Sequence, residues 1–184
     1  MDWRREEDFM FISEKERKCF SDWYFRANLN ENFDADRQFF YFYALFDQLT
    51  KSYTREKRKK LEEQGLQLSG GERGRIKYFL HQIFYIDEES SLFKTFNPLK
   101  TLESGKQFRL IEKLKSEGFD NFTEDFSLPP FEVMATLFMK IYDIRCKLFH
   151  GDADLADCEN NKLIDEANVV LKGFFDRLLE KFIK

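Results

Sequence analysis

Between Phe39 and Tyr53 the chain places Phe39, Phe42, Phe46, Leu49 and Tyr53 in alternating steps of three and four, the repeat of one face of an α-helix. Phe40, Tyr41 and Tyr43 make the same segment apolar on its other sides. A helix with so little polar surface must be enclosed by other helices. The expected fold is therefore all-α, an up-down bundle of about five helices with this aromatic helix in the middle. Phenylalanine occurs 23 times, so the interior is expected to be built from rings, whose large buried areas stabilise helix contacts. The chain has no alternating strand pattern, internal repeat or low-complexity linker.

The remaining helices follow from the same periodicity. A first helix is predicted from about Ser13 to Ala27, with Phe20, Trp23, Tyr24 and Ala27 on one face. Asp34 is placed to cap the aromatic helix, which runs into the basic stretch Arg55–Lys60 and a break at Gly65. The S-x-x-E form of Ser69 and Glu72 predicts a capping box opening a third helix through Ile76, Phe79, Leu80, Ile83 and Phe84. A short helix is expected near Phe108 to Lys115, among breaks at Pro98, Gly105 and Gly118. Pro129-Pro130 starts a helix with a seam of Met134, Leu137, Ile141, Ile144 and Leu148. A last helix, from about Glu159 to Phe182, carries Leu163, Ala167, Val170, Phe174 and Leu178 on its inner face. A length of 184 residues fits one domain, expected to span 1–184.

Charge and composition narrow the classes of function. The formal net charge is -4, so any contact with nucleic acid must be local. The first residues, Met1 to Asp8, mix charges where a signal peptide carries an apolar core, and the longest apolar run, Phe39 to Phe46, is too short to span a bilayer. A cytoplasmic location without membrane association is the expectation. Cys19, Cys146 and Cys158 are odd in number and lack C-x-x-C spacing, which argues against a disulfide framework and against zinc.

Several short patterns fail on context. Leu68-Ser69-Gly70-Gly71-Glu72 looks like the LSGG signature of ABC-type ATPases, but Gly71-Glu72 stands where a phosphate-binding loop after Gly65 and Gly70 needs lysine and a hydroxyl. Asp152, Asp154 and Asp157 hint at a calcium loop, but the third ligand position is alanine and the twelfth is Leu163. An acidic loop capping the last helix is the better reading. His81, beside Tyr78 and Tyr85, has no ligand partners at metal spacing and reads as structural.

The segment Arg145-Cys146-Lys147-Leu148-Phe149-His150-Gly151 carries the chemistry of interest. Arginine keeps its charge and histidine titrates near neutrality, so the two could handle a phosphodiester without a metal. On an ideal helix they stand about 140° apart and about 7.5 Å along the axis. Gly151 predicts a left-handed stop that puts His150 in the last turn, where the carbonyl end of the helix favours imidazolium. Two readings are open: a histidine at a helix C-terminus with an arginine on the wet face, or a reactive pair.

The stretch from Ile141 to Gly151, followed by an acidic loop and one more amphipathic helix, resembles the HEPN superfamily, whose signature is Arg, four to six residues, then His. The resemblance covers roughly the last third of the chain. It implies an all-α fold and a metal-independent endoribonuclease with no cofactor, with Arg145 and His150 as catalytic residues. It also implies a homodimer with the motif helices facing each other, in a defence or toxin–antitoxin setting where an antitoxin or other defence protein is a possible partner. Cleavage of RNA by the neighbouring 2′-hydroxyl would leave 2′,3′-cyclic phosphate ends. One position departs from the pattern: Cys146 follows the arginine where the family often has Asn, Asp or His, and a thiol is a weaker hydrogen-bond partner. The alternative is a non-catalytic helical module that binds RNA, a nucleotide or a protein.

Two further expectations complete the site. Arg55, Lys57, Arg58, Lys59 and Lys60, with Arg73, Arg75 and Lys77 across the Gly65 turn, form the candidate phosphate track, to be weighed against a merely solvated helix face. Antiparallel packing of the helices flanking that turn would gather both clusters at one end of the bundle. Tyr142, Cys146 and Phe149 are the expected supports of Arg145 and His150, and exposed rings beside a cation suit an interface with a second copy.

Overall fold

A computed structural model describes residues 14–29, 34–63, 71–83, 98, 109–116, 118, 131–151 and 158–182. These form six α-helices and no strand: α1 Glu14–Leu29, α2 Ala35–Glu63, α3 Glu72–His81, α4 Arg109–Ser116, α5 Phe131–His150 and α6 Cys158–Phe182. The all-α bundle is as expected, with six described helices in place of about five.

The aromatic helix α2 is central because its rings face several partners. Phe46, 1% exposed, meets Phe79 of α3, Phe138 of α5 and Phe174 of α6 at centroid distances of 5.9, 5.1 and 5.8 Å. Four helices thus each contribute one phenylalanine to a single cluster, and Phe174 also meets Phe79 and Phe138 edge-on. Such ring pairs add to the stabilisation from area burial alone. The predicted faces of α1 and α6 also turn inward: Phe20, Ala27, Leu163, Ala167, Val170 and Phe174 are buried, whereas the side chain of Leu178 lies outside the described residues.

Helix directions depart from up-down alternation. Trp23 of α1 packs on Tyr41, and Glu16 accepts a hydrogen bond from Ser52 at 2.6 Å, so α1 runs antiparallel to α2. Phe138 and Phe149 of α5 meet Phe46 and Phe40, also antiparallel. By contrast, Tyr43 donates to Glu72 at 3.1 Å while Tyr53 packs on Tyr78 and Phe79, so α3 runs parallel to α2. Likewise α6 is parallel to α2, with Asn168 donating to the Ala35 carbonyl and Phe175 stacking on Phe42.

Two predicted helix starts fare differently. The Asp34 carbonyl accepts from the N–H groups of Arg37 and Gln38, at the cap position assigned to it. The N-cap of α3, however, is Gly71, without a side-chain cap. Glu72 is the first helical residue, and its carboxylate is engaged by Tyr43. Ser69 and Gly65 lie outside the described residues, as does the acidic loop 152–157. No helix among the described residues is long and apolar enough to cross a membrane.

Candidate functional site

Helix α5 is anchored at its N-terminal half, where Val133, Met134, Leu137, Phe138 and Ile141 are buried. Its predicted seam then rises out of the core: Ile144 and Leu148 are only partly buried. The last two turns therefore present side chains to solvent on a fixed helix. Gly151 ends it with φ +71°, the left-handed stop expected, and its N–H reaches the Leu148 carbonyl at 3.4 Å. His150 is exposed in that last turn.

Arg145 lies over the Phe149 ring at 4.4 Å from its centroid, with Tyr43 of α2 at 5.9 Å. One guanidinium nitrogen reaches the Cys146 sulfur at 3.9 Å. Partial burial disfavours its charge, but contact with Cys146 and the charge of Glu72 hold the guanidinium above its usual range. Among the described residues no carboxylate forms an ion pair with it. Phe149 is 54% exposed and stacks on Phe40, itself 48% exposed, at 5.4 Å. The partly buried Arg145 and the exposed rings of Phe149 and Phe40 form one continuous cation–aromatic surface across α5 and α2.

Cys146 links this surface to the other motif residues. The Tyr142 phenol is held above its usual range first by a hydrogen bond to Cys146 and then by burial. Cys146 stands one turn before His150 on the same side of α5, and helical side chains lean toward the N-terminus. Arg145 lies along Phe149 and reaches that sulfur.

The antiparallel packing that would gather both basic clusters at one end is not found, because α3 runs parallel to α2. Arg73 lies near the level of Tyr43 and Arg75 at that of Asp47 to Thr50, whereas Lys57 is about 10 Å beyond Thr50 along α2. Arg73 does reach the motif helix, pairing with Asp143 at 2.7 Å and lying over Tyr142 at 5.3 Å. Arg75 is half-buried in a polar network, bonded to Asp47 at 2.5 Å and to Thr50 at 3.3 Å. Such an arginine is committed to holding α3 on α2. Arg55 pairs with Glu16 at 3.4 Å, and Lys57 sits over the Tyr53 ring. Arg58 and Lys77 are exposed, while the side chains of Lys59 and Lys60 lie outside the described residues. His81 packs edge-on against Phe131 at 4.9 Å, in keeping with its structural reading.

A cationic cleft escaped the sequence reading. Lys140 and Lys147, two turns apart on one face of α5, come together with Lys113 of α4. Their spacing was the available signal, but the third lysine comes from a distant segment. Among the described residues no group of three or more His, Cys, Asp or Glu could hold a metal ion.

Compared with protein-family models, curated proteins and solved structures, the chain matches none.

Proposed function

We propose that the chain is a metal-independent endoribonuclease of HEPN type, acting as a homodimer. The observation that carries this reading is the placement of Arg145: it lies on an exposed ring, has no carboxylate ion pair among the described residues, and touches the cysteine one turn before His150. A guanidinium so placed is available to a phosphate, which it binds through a planar fork of donors. In the reaction, His150 exchanges protons with the ribose 2′-hydroxyl or the leaving oxygen, and Arg145 stabilises charge developing on the phosphate. One histidine does not readily serve as both acid and base in a single step, and a second copy joined through the Phe40–Phe149 surface supplies the other. RNA is then cleaved to 2′,3′-cyclic phosphate ends and DNA is spared, since it lacks the 2′-hydroxyl. A defence or toxin–antitoxin setting fits such an activity.

The test is cleavage of single-stranded RNA in excess chelator. His150→Ala and Arg145→Ala should each lower the rate by about 10²–10⁴-fold, and Phe149→Asp should weaken the dimer in light scattering and abolish cleavage with it. Unchanged rates in the alanine variants, or a monomer that still cleaves, would overturn the reading. The second reading, a module that binds without cleaving, is favoured by the sulfur of Cys146 beside Arg145, a weaker partner than oxygen or nitrogen. It predicts a gel shift with intact RNA.

A further inference from the structure

Helices α4, α5 and α6 enclose a cleft of about 370 Å³, within the range of small-molecule sites. Lys113, Lys140 and Lys147 line it, and Arg73 stands at its wall. Among the described residues that line it, the one carboxylate, Asp143, is already paired with Arg73 at 2.7 Å. Leu110, Ile144 and Leu163 supply an apolar wall. Like charges gathered in a partly desolvated space repel. The Lys113 ammonium fits this: burial first, then Lys147 and Lys140, hold it below the usual lysine range, opposed by Glu166. An anion entering the cleft would relieve that repulsion.

We propose that this cleft binds a compact phosphorylated small molecule of the nucleoside diphosphate class, with its phosphates among Lys113, Lys140 and Lys147 and its less polar part against Leu110 and Ile144. A diphosphate carries roughly three negative charges, suited to a cleft lined by several ammoniums. The apolar wall gives a nucleoside an advantage over a bare phosphate. A strand of RNA would need a groove that tracks its backbone, and this cleft is a pocket between three helices. The proposal uses neither Arg145 nor His150, although Cys146, which touches Arg145, also lines the cleft.

Isothermal titration of the full chain with ADP, inorganic pyrophosphate and a short single-stranded RNA tests it. ADP should bind more tightly than pyrophosphate. Lys113→Gln and Lys147→Gln should each weaken ADP by about tenfold, the loss of one charge-assisted contact, whereas Lys113→Arg should retain binding. Lys18→Gln, the same change of charge at an exposed position of α1, should leave it unaltered. Thermal melts establish that each variant is folded. The proposal is overturned if ADP fails to bind, if pyrophosphate binds as tightly, if the glutamine variants at Lys113 and Lys147 have no effect, if Lys18→Gln weakens ADP equally, or if these lysines bind only RNA.

Discussion

Removing the carboxylate of Glu166 should detach α4, the helix that brings Lys113 to the cationic cleft. Glu166 is 1% exposed, and its two oxygens accept from the backbone N–H groups of Arg109 at 2.7 Å and Leu110 at 2.6 Å. These are the first N–H groups of α4, which have no partner within the helix, and the positive end of the helix dipole adds to the attraction. Hydrogen bonds to a charged group contribute about 1.5–3 kcal/mol each, or about 3–6 kcal/mol for the pair. Replacing Glu166 by alanine also removes a buried charge, whose desolvation cost offsets part of that sum. The net loss expected for Glu166→Ala is about 2–3 kcal/mol, which lowers Tm by about 4–12 °C in a chain of this size. Urea denaturation measures the loss, and hydrogen exchange locates it: the Arg109 and Leu110 amides should lose protection while those of α2 keep theirs. A destabilisation below about 0.5 kcal/mol, or protection at Arg109 and Leu110 that survives the substitution, would refute the assignment.

Phe46→Ala removes the ring at the junction of four helices and should cost about 3–5 kcal/mol in urea denaturation; a loss under about 1.5 kcal/mol would mean the cluster is not the centre of the core. Burial holds the Asp165 carboxyl above the usual carboxylate range, so the folded chain binds more protons than the unfolded one between the ordinary and the raised value. Stability contributed by this group therefore falls as pH rises through that window, and the deficit persists at neutral pH. Asp165→Asn should raise Tm slightly at pH 7 and leave it unchanged below the ordinary carboxylate range; an equal gain at acid pH would contradict burial as the cause.

Where a feature depends on local spacing, the sequence revealed it. The three-and-four repeat of Phe39, Phe42, Phe46 and Leu49 needs only one face of one helix, and those residues are all buried. Gly151 needed only its own backbone freedom to predict the stop after His150, and its φ is positive. The inner face of α6 followed in the same way. The start of α3 misled because Ser69 and Glu72 satisfy the spacing of a capping box, while the Tyr43 hydroxyl on α2 competes for the Glu72 carboxylate and Gly71 takes the cap.

Helix direction is a different kind of information. Arg55 and Arg73 are both basic, and proximity across a short turn suggested one surface; the parallel packing of α3 on α2 separates them, and the reason lies in side-chain pairs such as Tyr43 with Glu72 and Tyr53 with Phe79. The same holds for the cationic cleft. Lys140 and Lys147 mark one face of α5, which by itself describes any solvated helix surface. The face becomes a site only because Glu166 of α6 holds the N-terminus of α4, bringing Lys113 toward the other two ammoniums and closing the apolar wall with Leu110. A buried carboxylate on one helix thus brings the amine of a second helix to those of a third, a relation that no local pattern in the chain encodes.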